Sequence, residues 1–327
     1  MRPRRAGVLR LPGKRGTGMM PAMDAPIRPA CRLAPPLSPA QRYRRLPSPA
    51  RVGLYLASCI GASLVWCLLI LAVVRPGWDV FATPERYPLA TNAYLAGTYV
   101  ILVGGALWAW RRLQGEPLRA VGLTGERAGS GLLTGLAVGF GSLGLLFGLE
   151  VAMGWLLWDQ AAWAATPGWL LAANAATALF FGFSEELLFR GFIFQTLRRG
   201  LALPVAMAGS AWLYAQVHFL RFDLHWHTLV MPFTGLFLAG LVLAWTAYRS
   251  RSIWLSVGLH TAWVYVFVLS DRQKLLVYPI EHNWLTGGGY PLAGWAGLTM
   301  LAALGLGLAW GLRPRTGKPR RDNQNLS

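Results

Sequence analysis

Two glutamates and an arginine interrupt the apolar run FFGFSEELLFRGFIF at residues 180–194. Glu186 and Arg190 are four apart, on one face of a helix and in acid-before-base order, so they can neutralise each other. Glu185 is rotated about 100° from Glu186 and has Phe189, not an arginine, four residues on. Its carboxylate is left for use elsewhere. Two histidines stand in other apolar stretches: His218, four after Tyr214 in LYAQVHFLRF, and His260 in SVGLHTAWVYVF. A carboxylate with no cation of its own and two imidazoles are the groups from which proton-transfer chemistry is assembled. The plainer reading is an ion network that ties helices together, with each histidine an interhelical donor.

The surrounding composition sets the solvent. The chain has 327 residues, of which 54% are hydrophobic and 13% charged, against about 25% charged in an average soluble domain. Eight mainly apolar windows recur, near 52–74, 92–110, 131–157, 169–197, 203–220, 229–248, 252–270 and 292–312. Each is of the order needed to cross about 30 Å of hydrocarbon, and the fourth reads longer than a simple crossing. The expectation is an all-α, polytopic membrane bundle of about eight transmembrane helices. A charge at the centre of a bilayer is unfavourable by about 2.5–3.5 kcal/mol, so it faces the protein interior and marks function by default. At about 1.5 Å per residue, Glu185 lies roughly 20 Å from Arg198, His218 roughly 23 Å from Leu203 and His260 roughly 14 Å from Arg251. These depths are compatible with one cluster.

The formal charge of +18 is concentrated at the ends. Residues 1–51 hold twelve Lys or Arg against one Asp, with ten prolines, and five more basic residues follow 312. The expectation is a disordered basic tail over 1–50, a helical membrane domain over 51–312 and a basic tail over 313–327. Such tails beside a bilayer answer to anionic lipid, so membrane lipid is an expected partner and nucleic acid is not. The tail lacks the apolar stretch of a cleavable signal peptide, and Met19, Met20 or Met23 are alternative starts. Arg111, Arg112, Arg119 and Arg127, then Arg198 and Arg199, then Arg249 and Arg251, then Arg313 onward fall in alternate connections. The positive-inside rule then puts both termini in the cytoplasm of a multi-pass protein of the cell inner (plasma) membrane.

Cys31, Cys59 and Cys67 form no disulfide framework, and neither helical cysteine has a cationic neighbour to make it a thiolate. His225 and His227 in RFDLHWHTL read as a wet or interfacial turn and His282 as an outer-loop residue. No nucleotide-binding fingerprint is present, and no cofactor or metal is expected.

The segments Glu-Glu-x-x-x-Arg at Glu185, Glu186 and Arg190, aromatic-x-x-x-His at Tyr214 and His218, and a third centred on His260 resemble, in that order, the CAAX protease and bacteriocin-processing (CPBP) family of intramembrane endopeptidases. The resemblance covers roughly residues 170–270. It implies hydrolysis of a membrane-proximal peptide bond in a membrane-associated protein or peptide, by water activated without a metal. Glu185 and His218 would bind and deprotonate that water, His260 would stabilise the oxyanion, and Glu186 and Arg190 would support them. The chain departs from the family pattern twice: Tyr214 stands where the family usually has Phe, and Val264 stands where a polar residue usually follows the histidine by four. One oxyanion donor is thereby missing, for which Asn174 or Gln216 are substitutes on offer. The alternatives are a non-catalytic immunity or scaffold protein of the same fold, a zinc peptidase using Glu185, His218 and His260 as ligands, and, further off, a transporter.

Overall fold

Uninterrupted apolar sequence in a membrane satisfies its backbone only within itself, which makes helices of all eight windows. The computed structural model describes residues 37–74, 86–125, 128–218, 226–279, 284–287 and 290–312, and its elements all belong to the unit Ser38–Ser327. The helices are α1 (Pro39–Arg45), α2 (Ser48–Val74), α3 (Pro88–Trp108), α4 (Ala128–Ala152), α5 (Gln160–Ala165), α6 (Gly168–Glu186), α7 (Phe194–Leu197), α8 (Leu203–Val217), α9 (Trp226–Ser250), α10 (Trp254–Gln273) and α11 (Trp295–Gly311). A π-helical turn extends α3 through Gln114, and another, Leu187–Ile193, joins α6 to α7 without a break. Two short strands, β1 (Leu157–Trp158) and β2 (Leu276–Val277), pair antiparallel.

The fold is a polytopic helical bundle. Among the described residues, four helices are long and apolar enough to cross a bilayer alone: Ser48–Val73, Pro88–Gln114, Ala128–Ala152 and Val230–Ser250. The shorter apolar helices Trp254–Ser270 and Trp295–Gly311 accompany them. Polarity is distributed inside out. Ile60, Val73, Leu133 and Leu145 are 67–81% exposed, whereas Glu150, Glu186, Arg190 and Ser256 are wholly buried. Exposed apolar area on that scale marks a surface meant for lipid.

The stretch 1–50, expected as a basic tail, includes a helix. Residues 39–45 form α1, because Ser38 accepts from the Gln41 amide while Gln41 Oε1 accepts from the Ser38 amide, a capping box with proline at the first helical position. Tyr43 and Ser48 are buried, and Arg44 donates to the Leu113 carbonyl. Residues 1–36 and 313–327, which include Cys31 and the candidate starts, lie outside the described residues, as do Arg127 and Arg313.

Close helix contacts set the frame of the site. Gly135 on α4 and Gly258 on α10 sit backbone against backbone, so that a Cβ on either would collide with the partner helix. Gly182 on α6 likewise leaves room only for Thr261 of α10. Small residues at such crossings let membrane helices approach without a hydrophobic drive. They bring His260 of α10 within side-chain reach of the last turn of α6. The connections expected on one side also share one end of the bundle: Arg199 pairs with Glu116 at 3.0 Å, and the Trp254 indole donates to the Thr124 carbonyl.

Candidate active site

Glu185 and Glu186 are the last two residues of α6, at the point where the helix widens into the π turn. Such turns occur frequently at functional sites because they re-aim side chains. Glu186 and Arg190 are completely buried and pair at 2.7 Å. Arg190 also donates to the Gly240 carbonyl of α9 at 3.3 Å, and its guanidinium lies 4.5 Å above the Tyr214 ring. Glu186 Oε1 meets a second group as well, His260 Nδ1 at 3.0 Å. Glu186 therefore holds both Arg190 and His260 in place.

Glu185 is bound differently. Its Oε1 accepts the Tyr99 hydroxyl of α3 at 2.8 Å, and the Tyr99 ring is wedged against Phe180 and Phe181. Its Oε2 has no hydrogen-bond partner among the described residues, yet it lies 3.8 Å from His218 Nε2 and 3.8 Å from His260 Nε2. Both separations exceed a direct hydrogen bond and are of the size a single water bridges. The side chains of His260, Glu185 and His218 are 4%, 14% and 32% exposed, so access is graded toward His218, the C-cap of α8.

Partner chemistry assigns the ring protons. His218 Nδ1 contacts the Tyr214 carbonyl at 2.8 Å. A carbonyl only accepts, so Nδ1 carries the proton and, in the neutral ring, Nε2 presents its lone pair toward Glu185. His260 Nδ1 faces a carboxylate and donates to it. Its Nε2 is 3.2 Å from the Tyr214 hydroxyl.

The structure thus brings Glu185, Glu186, Arg190, His218 and His260 together. It does not bring Asn174, whose amide donates to Gln273 at 3.2 Å, about 16 Å up α6 from Glu185 at the helical rise. Gln216, two residues past Tyr214, is rotated about 200° from it. Tyr99 is the site residue that sequence reasoning did not single out; its only signal is a phenol within an apolar span, 86 residues before Glu185. Cys59 and Cys67 are buried and unbridged. His225 and His282 lie outside the described residues, as does the side chain of His227. Among the described residues no group of three His, Cys, Asp or Glu is arranged to hold a metal ion.

Residues 166–266 match the family described as type II CAAX prenyl endopeptidase, Rce1-like. That agrees with the resemblance to the CPBP family and supports a membrane protease in general terms. The matched span encloses all five charged and histidine groups of the site and leaves out Tyr99. No curated protein and no solved structure gives a match.

Proposed function

We propose that this protein is an intramembrane endopeptidase that hydrolyses a peptide bond of a membrane-associated protein or peptide with water activated by Glu185 and His218. The observation that carries the reading is Glu185 Oε2, buried and uncommitted, with two imidazole nitrogens each 3.8 Å away. Glu185 Oε2 and His218 Nε2 are both acceptors. A water between them donates one proton to each, which turns its lone pairs outward. Tyr99 occupies Oε1 and so leaves Oε2 as the basic atom.

In the reaction the water oxygen forms a bond to the carbonyl carbon, the carbonyl π pair moves onto its oxygen, and one water proton passes to Glu185. Collapse of the tetrahedral intermediate breaks the C–N bond, and the proton on Glu185 goes to the departing nitrogen. The products are a carboxylic acid and an amine. Donors around His260 Nε2 face the developing oxyanion, where a fixed donor in a water-poor site has its largest effect. Glu186 and Arg190 are positioning residues, acting through His260. No metal takes part in this reading. The protein sits in the cell inner membrane with both termini in the cytoplasm, as the distribution of arginines supports.

The test compares membrane peptides in cells carrying wild type, Glu185→Ala and His218→Ala. Peptides processed by wild type alone, with processing unaffected by a chelator, are the expected result. An identical peptide population in all three strains, with the variants present at normal levels, would mean the protein acts without catalysis, as a scaffold or immunity protein. Chelator-sensitive processing would favour the zinc alternative.

A further inference from the structure

We propose that the hydroxyl of Tyr214 is a catalytic group of this site, an oxyanion donor that takes the place of the polar side chain missing at Val264. The inference rests on the hydrolytic reading above.

The ring and the hydroxyl of Tyr214 do separate things. The ring is packing: it lies edge-on to Phe189 at 5.3 Å, tilted against His218 at 4.7 Å and under the Arg190 guanidinium at 4.5 Å. A phenylalanine would keep all of that. Among the described residues the hydroxyl reaches one partner, His260 Nε2 at 3.2 Å, the nitrogen that also lies 3.8 Å from Glu185 Oε2. The donor is thus placed at the reacting side of His260, next to the atom that activates water.

His260 by itself is an incomplete oxyanion donor. With Nδ1–H given to Glu186, the neutral ring has only a lone pair at Nε2, and the proton in that contact belongs to Tyr214. When water attacks, the negative charge gathering on the carbonyl oxygen competes with Nε2 for this proton and draws the hydrogen bond to itself. If the ring is instead an imidazolium, Nε2–H donates to the phenol oxygen, and the phenol proton is again the one directed outward. In either protonation state the O–H of Tyr214 is the donor available. It forms and releases a hydrogen bond only, and the covalent changes of hydrolysis are as given above. Val264, one helical turn beyond His260, carries no donor.

The experiment uses the full chain in liposomes and an internally quenched peptide copying a bond whose cleavage in cells depends on Glu185. Tyr214→Phe is expected to lower kcat by about 10²–10³, with KM within about threefold of wild type and unchanged thermal unfolding. Should Tyr214→Phe fold poorly, a fluorinated tyrosine at 214 keeps the ring and hydroxyl but is a more acidic phenol. A donor role then changes kcat at neutral pH while leaving KM as it was. Glu185-dependent cleavage at the wild-type rate in Tyr214→Phe, or a kcat at neutral pH unmoved by the fluorinated tyrosine, overturns this inference alone. Absence of any Glu185-dependent cleavage overturns the hydrolytic reading and this inference together.

Discussion

Among the described residues the bundle buries acid in two places, and they are built on opposite plans. Glu150, near the end of α4, is wholly buried and has one side-chain partner, the Tyr278 hydroxyl at 3.0 Å, with Oε1 unpartnered among the described residues. Tyr278 in turn packs on the apolar cluster of Leu143, Leu146, Phe147 and Leu156. The pair fastens the end of α4 to the segment after β2. At the other place, α3, α6, α8 and α10 each contribute a polar group, and one guanidinium answers one of two carboxylates. An acid inside a membrane protein is functional by default, and the contrast narrows that rule. A lone buried acid with a single donor is a fastener. An acid whose neighbour has already taken the cation, and which faces two imidazoles, is left with an atom that can move protons.

Arg190→Leu should have the largest effect on folding, since it leaves Glu186 buried without its guanidinium, a loss of about 3–5 kcal/mol. Thermal unfolding in detergent reads it, and a variant as stable as wild type would mean that His260 alone compensates Glu186. On turnover, Glu185→Gln should reduce peptide cleavage by about 10²–10⁴, while Glu150→Gln stays within about threefold of wild type. Equal losses in the two would erase the distinction drawn between them. Tyr99→Phe removes a hydrogen bond to a charged group, an effect of about 1.5–3 kcal/mol. If that bond orients Oε2, cleavage falls about ten- to a hundredfold with folding intact, and unaltered kinetics would remove Tyr99 from the site. Smallest is Tyr278→Phe, expected to lower stability by about 1–3 kcal/mol by stranding Glu150 and to leave kcat alone. Burial, and then Glu150, push the Tyr278 phenol above its usual range. Ionisation of the phenol therefore begins to remove its contribution only as pH climbs beyond about 10. A difference between wild type and Tyr278→Phe that fades between about pH 8 and pH 10 would contradict this assignment.

The helices were legible because a membrane demands them: each of the eight apolar windows overlaps a helix, and the ordered motifs lie within the matched span. The pairing of Glu186 with Arg190 was legible for a local reason, the four-residue spacing on one helix. Tyr99 was not, since nothing near position 99 relates it to Glu185, and neither was the contact of the Tyr214 hydroxyl with His260, 46 residues on. Asn174 shows the converse: its residue type suits a donor, but it lies about three turns away along α6 and is committed to Gln273.

What this sequence determined by itself is the solvent it folds in, the helices it makes there and which acid is neutralised by its own neighbour. Those depend on composition and on spacings of a few residues, where geometry is local. Only the tertiary structure decided which oxygen of Glu185 stays uncommitted, which nitrogen of each histidine faces Glu185 and which phenol stands beside His260. Each of these is settled by a contact between residues far apart in the chain, and the close crossing of α4, α6 and α10 at glycines that leave no room for a side chain brings His260 to the end of α6.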